Sequence, residues 1–298
     1  MRMAYLILAH DEPEQLAWLI DRLVPSGSPD IAIVHADAGS DLWPLLRERW
    51  PHDTESLRLI RDPVRVRWGH WSQVAATALL VEAARDAACD YAHFISGADW
   101  PCVSREQLVA QVSGEAPPAC FVEAVAGEQE ERMACRRLDT RWLRLDPKHD
   151  RLAYAATWEL RRLSRWMDGA ADALHLHRSS PYGRWHKGSQ WWSLPQEAIA
   201  LLARELPLLL ASGRLKGTLC SDEHVVPTIM AAHFAGRLRP NRRFIDWSAG
   251  QSSPRVLSAT DLAAIKASGA WFMRKVSARH DDFFLDMGRE RQESLPAA

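Results

Sequence analysis

Apolar runs and polar breaks alternate along the first hundred residues in a strand–helix rhythm. Residues 3–9 (Met-Ala-Tyr-Leu-Ile-Leu-Ala) are continuously apolar, the pattern of a strand covered on both faces and paired in parallel. The run stops at His10-Asp11-Glu12-Pro13. Asp11 is a good N-cap there, and Pro13 suits the first turn of a helix reaching about Leu23. After a loop at Pro25-Ser26-Gly27-Ser28-Pro29, Ile31–His35 gives a second buried strand, ending at Ala36-Asp37-Ala38-Gly39. A strand, helix and strand at this spacing form a right-handed βαβ unit, and ligands of such sheets lie beyond the carboxyl ends of the strands. His10 and Asp37 both occupy such ends.

Residues 57–62 read as a third, short strand. Val66-Arg67-Trp68-Gly69-His70-Trp71 is a polar-aromatic loop ahead of a helix from Ser72 to about Ala88, whose apolar positions (Val74, Ala78, Leu79, Val81, Ala84) recur at helical spacing. Tyr91–Ile95 is a fourth strand, followed by Ser96-Gly97-Ala98-Asp99-Trp100-Pro101 and a helix capped by Ser104. Between about 117 and 184 the pattern loosens. Phe121–Val125 fits a strand, Arg161–Met167 fits part of a half-buried helix, and the whole region reads as an insertion shaping an acceptor site. Periodicity returns with His186–Leu194 and a helix carrying Leu201, Leu202, Leu206 and Leu209. Arg242–Trp247 (a strand), Ser252-Ser253-Pro254 (a turn), a short helix opening at Thr260 and Ala270–Val276 complete the pattern ahead of a polar tail. These elements predict an α/β fold: one domain over 1–285, with a nucleotide-binding part at about 1–115, an acceptor and catalytic part at about 116–285, and a tail at 286–298.

Composition narrows the function. The 298 residues are 47% hydrophobic and 25% charged, with a formal net charge of −1, so no global field recruits nucleic acid, and no basic face with a known motif does either. The longest apolar patch, about 206–211, is too short to span a bilayer. Five cysteines (89, 102, 120, 135, 220) match no metal-ligand spacing and suit free thiols in a reducing cytosol. The expected location is therefore cytoplasmic, compatible with peripheral contact at the inner membrane face. No Gly-x-Gly-x-x-Gly follows the first strand, which argues against a dinucleotide fold. Tryptophan is abundant, 14 against 4 Tyr and 7 Phe, and indoles stack on sugars and bases as well as filling cores.

The chemistry concentrates at Cys220-Ser221-Asp222-Glu223-His224. Ser221 or Asp222 suits a helix N-cap and Glu223 then falls in the first turn, where free backbone N–H groups favour an ionised carboxylate. Such a group suits a general base, and the same residue types also serve as an ordinary cap.

The ordered set Tyr5–His10, His35-Ala36-Asp37, Trp68-Gly69, Ser96–Pro101, Lys187–Trp192, Ser221-Asp222-Glu223, Ile245-Asp246-Trp247, Ser253-Pro254 and Phe272–Lys275 resembles the core-2/I-branching enzyme family. That family comprises β-1,6-N-acetylglucosaminyltransferases and peptide O-xylosyltransferases, and this chain resembles a bacterial member. The resemblance implies a GT-A-like fold with a mostly parallel central sheet flanked by helices. It further implies inverting transfer of a sugar from a UDP-sugar to a hydroxyl of a glycan, glycolipid or peptide, N-acetylglucosamine ahead of xylose, without a metal or other cofactor. Glu223 takes the role of base, with His10, Asp99, Trp100 and Asp222 near acceptor or donor sugar. Asp37, Arg67, Trp68, Gly69, Gln190, Trp191 and Ser253 fall on the nucleotide-sugar side, and Arg274 and Lys275 form the diphosphate clamp. Three departures (His70 after Gly69, Cys220 ahead of Ser221, and Met273 ahead of Arg274) leave the transferred sugar open. Two rivals stay open as well. One is a metal-dependent transferase using Asp37 or Asp99, although Asp37 is followed by Ala38-Gly39 rather than by the second Asp of an Asp-x-Asp pair. The other is a non-catalytic carbohydrate-binding protein.

Overall fold

In the structure, a computed structural model describing residues 1–134, 178–248 and 253–279 with scattered positions between 162 and 174, the four apolar runs are strands. They are β1 (Met3–Ala9), β2 (Ile31–Ala36), β3 (Leu57–Leu59) and β4 (Tyr91–Ser96), and β2 and β4 are buried at every residue. Between them lie α1 (Pro13–Leu23), α2 (Leu42–Arg49) and α3 (Ser72–Asp86). Then come β5 (Asp99–Pro101), α4 (Arg105–Ser113), β6 (Cys120–Phe121), β7 (Val125–Ala126) and α5 (Glu131–Ala134). The chain continues through β8 (His186–Lys187), β9 (Trp192–Pro195), α6 (Gln196–Ala211), α7 (Val225–Phe234) and β10 (Leu238–Arg239). It finishes with β11 (Arg243–Ile245), α8 (Leu262–Ser268) and β12 (Phe272–Arg274).

The central sheet has the order β10-β6-β9-β4-β1-β2-β3. β4, β1, β2 and β3 run parallel, β6 and β10 are parallel to each other, and β9 is antiparallel to both of its neighbours. Alternation along β1 sends its residues to two cores. Ala4 and Leu6 join α3, α6 and α7, whereas Met3, Tyr5 and Ile7 join α1, α2, α4 and the Trp271-Phe272 segment. Each Leu or Ile fully buried this way contributes about 1.5–3 kcal/mol. The expected GT-A-like α/β arrangement, a mostly parallel sheet flanked by helices, is the observed one. A small sheet, β11-β12-β5, lies beside the main one, with β12 antiparallel to β5 so that Arg274 pairs with Asp99. A two-stranded ribbon, β7–β8, completes the strands.

Local chemistry departs from expectation at several element ends. α1 is entered through Glu12 in the left-handed region (φ 54°). The Asp11 carboxylate accepts the Glu12 N–H at 2.8 Å and pairs with Arg279 instead of capping the helix. The third strand stops at Leu59, and beyond it the Val66 N–H donates to Asp37 Oδ1. The run 121–125 is divided between β6 and β7, and the strands within 242–247 and 270–276 are shorter than the apolar runs. Ser104 does cap α4, in a reciprocal capping box with Gln107. Of the half-buried helix expected at Arg161–Met167, the described positions 162, 163 and 166 are helical but exposed, while the tail at 286–298 and most of the expected acceptor insertion lie outside the described residues. Among the described residues, no helix is long and apolar enough to cross a membrane.

Candidate active site

A cavity of about 920 Å³ opens beyond the carboxyl ends of β1, β2 and β4, and both halves of the chain contribute to its wall. His10 and Asp37, the first residues past β1 and β2, line it together with Trp68, Gly69, Gln190, Trp191, Asp222, Glu223, Ser253, Arg274 and Lys275. Strand ends supply these positions because the pleated backbone stops there and polar side chains need no longer alternate with a packed face.

Asp37 holds the loop at Val64–Arg67 in shape. Its Oδ1 accepts the backbone N–H groups of Gly39 and Val66, both at 2.8 Å. Behind it, buried His35 accepts the Val64 N–H on Nε2 at 3.1 Å, and burial pushes its pKa down to about 4. Gly69 sits at φ 66°, a conformation costly for any side chain but Gly. Its N–H donates to the Gln73 carboxamide oxygen, while the Gln73 amide donates to Asp222 Oδ2 at 3.0 Å. The Cys220 N–H then donates to the Gly69 carbonyl at 2.8 Å. Buried Gln73, in the first turn of α3, thereby ties the Trp68-Gly69 loop to the loop that carries Glu223.

Ser221–Glu223 forms one turn of 3-10 helix, entered through Cys220 in the left-handed region (φ 51°). Neither Ser221 nor Asp222 caps α7, whose N-terminal neighbour is His224. The expected cap is thus replaced by a tertiary anchor, Gln73. His224 is fully buried, its Nδ1 3.1 Å from the Cys220 carbonyl, and desolvation lowers its pKa. The Glu223 backbone carbonyl accepts the Gly188 N–H at 2.8 Å. Its carboxylate, 34% exposed, receives the Arg132 guanidinium, Nη1 to Oε2, at 2.9 Å.

The cationic end is built on β12. Arg274 donates to Asp99 Oδ1 at 2.6 Å, and its guanidinium lies 4.4 Å from the centre of the Trp191 ring, which itself stacks on Phe94. With the indole only 9% exposed, Trp191 is a shelf for Arg274 and offers a sugar little face. Half-buried Lys275 stands beside it, with its backbone carbonyl bonded to the Leu257 N–H. Ser253 lies on a loop whose ends are pinned by Arg255 between Asp246 and Asp261. Hydrogen bonds from Ser248, and then from Arg255, pull the Asp246 carboxyl down to about 2. Arg243 also lines the cavity, donating to the Trp192 carbonyl at 2.9 Å, and desolvation pushes its pKa down to about 10. The buried Gln190 carboxamide nitrogen has no hydrogen-bond partner among the described residues.

Three expected residues lie elsewhere. Arg67 lines a separate concavity with Arg65, Trp71 and Lys216, behind the loop. Asp99 is 1% exposed and engaged with Arg274 and the Ser96 N–H. Trp100, in the middle of β5 of the small sheet, is core and 5% exposed. Sequence reasoning missed Gln73, Arg132 and Arg243. Nothing in their local sequence marks them, because each has a defining contact far along the chain: Gln73 to Asp222, Arg132 to Glu223, and Arg243 to Trp192 and Ser193. Among the described residues no three His, Cys, Asp or Glu side chains gather as a metal site.

The cavity at the strand ends of this α/β sheet thus gathers the Glu223 carboxylate and the Arg274-Lys275 pair in one wall. The chain belongs to the Core-2/I-Branching enzyme family, whose match runs over residues 3–267. No curated protein sequence matches it. Among solved structures it is similar to the bifunctional glycosyltransferase WbbM at 11% identity and a TM-score of 0.43, covering 98% of this chain and 50% of that one. It therefore spans half the length of that relative. It is also similar to a mannose-1-phosphate geranyltransferase from Thermus thermophilus, at 11% identity and a TM-score of 0.37, covering 81% of this chain and 74% of the other.

Proposed function

We propose that the protein is an inverting transferase that moves a sugar from a UDP-sugar to an acceptor hydroxyl without a metal ion. The observation that carries this reading is that Glu223 and the Arg274-Lys275 pair open onto one cavity at the strand ends. Glu223 takes the proton of the acceptor hydroxyl as its oxygen attacks the anomeric carbon. The bond from that carbon to the UDP oxygen breaks, and UDP leaves with the electron pair. Arg274 and Lys275 meet the charge that develops on the diphosphate, a preorganised electrostatic contribution. Asp37 and the loop it organises face the nucleoside, and the Gln190 amide and Ser253 face the donor. N-acetylglucosamine is the preferred sugar over xylose, on family membership alone, and the acceptor is a glycan or another surface-polymer precursor. The engagement of Asp99 with Arg274 favours a charge-clamp role over metal ligation.

Calorimetric titration with UDP in EDTA tests the reading. Wild type binds, and the double substitution Arg274→Ala/Lys275→Ala weakens binding by at least about tenfold, one charge-assisted contact's worth. Binding that requires added Mn²⁺ would overturn the metal-free reading, and no binding under either condition would remove the uridine donor.

A further inference from the structure

We infer that Arg132 is a positioning residue for the transfer: it fixes the carboxylate of Glu223 so that one chosen oxygen meets the acceptor hydroxyl. The inference rests on Glu223 being the base and adds what aims it.

The Glu223 backbone is held firmly, by the Gly188 N–H on its carbonyl and by its own N–H, which donates to the Cys220 carbonyl at 3.1 Å to close the 3-10 turn. Its side chain is not held by that. Three rotatable bonds separate the backbone from the carboxylate, and at 34% exposure packing does not choose among the rotamers. Among the described residues, the group that meets the carboxylate is the Arg132 guanidinium, Nη1 on Oε2 at 2.9 Å. With Oε2 engaged, Oε1 is the oxygen offered to a hydroxyl. A base that samples several rotamers is in reach for only a fraction of encounters, and a misplacement of about 1 Å costs on the order of 100-fold in rate.

Arg132 is itself well anchored, which separates it from an ordinary surface partner. The next residue, Met133, is completely buried and pins α5 into the core. The Arg132 carbonyl accepts the Leu219 N–H at 2.9 Å, one residue before Cys220 opens the base loop. Backbone and side chain of Arg132 therefore grip the base loop at two points, Leu219 and Glu223. A solvated pair of two freely rotating side chains would have neither grip nor direction.

The contact uses a single guanidinium nitrogen, so a lysine ammonium can take its place in part, whereas methionine keeps the length and removes the donor. The test measures UDP release from UDP-N-acetylglucosamine, UDP-xylose, UDP-glucose and UDP-galactose, with water or alkyl glycosides as acceptor. Arg132→Met is expected to lower kcat by about 10- to 100-fold while the donor KM and the UDP affinity stay within about twofold. Arg132→Lys restores most of the loss. In a Glu223→Gln background, Arg132→Met changes kcat by less than about twofold, since there is no longer a base to aim. If Arg132→Met melts the protein, Arg132→Gln carries the same comparison. A wild-type kcat in the Met and Gln variants, or the same loss with and without Glu223, overturns the role of Arg132. Failure of the underlying reading looks different: Glu223→Gln then turns over like wild type, or wild type releases UDP from none of the four donors, and the proposal falls with it.

Discussion

Asp99 and Arg274 show how a buried carboxylate serves a site it does not enter. Asp99 is 1% exposed and Arg274 18%, and their 2.6 Å contact is one of two devices that aim the guanidinium, the other being the Trp191 ring. Asp99→Asn removes the charge while keeping an acceptor for the Ser96 N–H. Breaking one partner of a buried pair costs roughly 3–5 kcal/mol, and the residual exposure of Arg274 brings the expected loss to about 2–3 kcal/mol. Denaturant unfolding checks that figure. The same variant should bind UDP about tenfold more weakly, because Arg274 then holds its orientation only through the indole. A stability loss with unchanged UDP affinity would reduce Asp99 to a scaffold and leave Arg274 oriented by Trp191 alone.

At the scale of elements, the Ser221–Glu223 loop depends on close backbone approach between segments far apart in sequence. Gly188, next to β8, is packed so tightly that a Cβ there would meet the Glu123 carbonyl and the Pro227 ring. Gly188→Ala is expected to cost about 1–3 kcal/mol through overpacking and to loosen the hydrogen bond that holds the Glu223 carbonyl. Hydrogen exchange of the residue 188 amide reads this out, and unchanged protection would mean that the backbone takes up the added Cβ without loosening that hydrogen bond. These ties also mark where the sequence was legible. The strands and helices could be read because β1, β2 and β4 are buried on both faces and α3 and α6 bury apolar stripes, so the residue pattern carries the information locally. The site residues at strand ends were legible for the same reason, since a buried strand must end where polar side chains begin. The cap expected at Ser221 was not, because Gln73 satisfies the Asp222 carboxylate from another element. Nor was the Trp191 role, because only the folded chain brings Phe94 and Arg274 to its ring.

At the scale of the molecule, three histidines that are fully buried among the described residues, His35, His93 and His224, have their pKa values lowered by desolvation. His35 accepts the Val64 N–H, and His93 is 2.8 Å from the Ser193 hydroxyl, between the rings of Tyr5 and Tyr91. A group whose folded pKa lies below its unfolded value stabilises the fold fully above the unfolded pKa, and that contribution is lost as pH falls toward the folded one. For His35 the window runs from about 6.5, where the unfolded chain begins to take up a proton, down to about 4. By pH 5 its share of the loss is about 2 kcal/mol. The depressed carboxylates, such as Asp246 at about 2, act only at lower pH, so a comparison of pH 7 with pH 5 isolates the histidines. The unfolding free energy should therefore fall between those two values. His35→Gln, whose carboxamide oxygen can still accept from Val64 but does not titrate, should recover about 2 kcal/mol of that difference in urea titrations at the two pH values. The imidazole positions the loop from Val64 toward Trp68-Gly69, so the same variant at pH 7 should keep UDP affinity near wild type if only the acceptor atom matters. An unchanged pH slope in His35→Gln would shift the acid sensitivity of the fold onto His93 and His224.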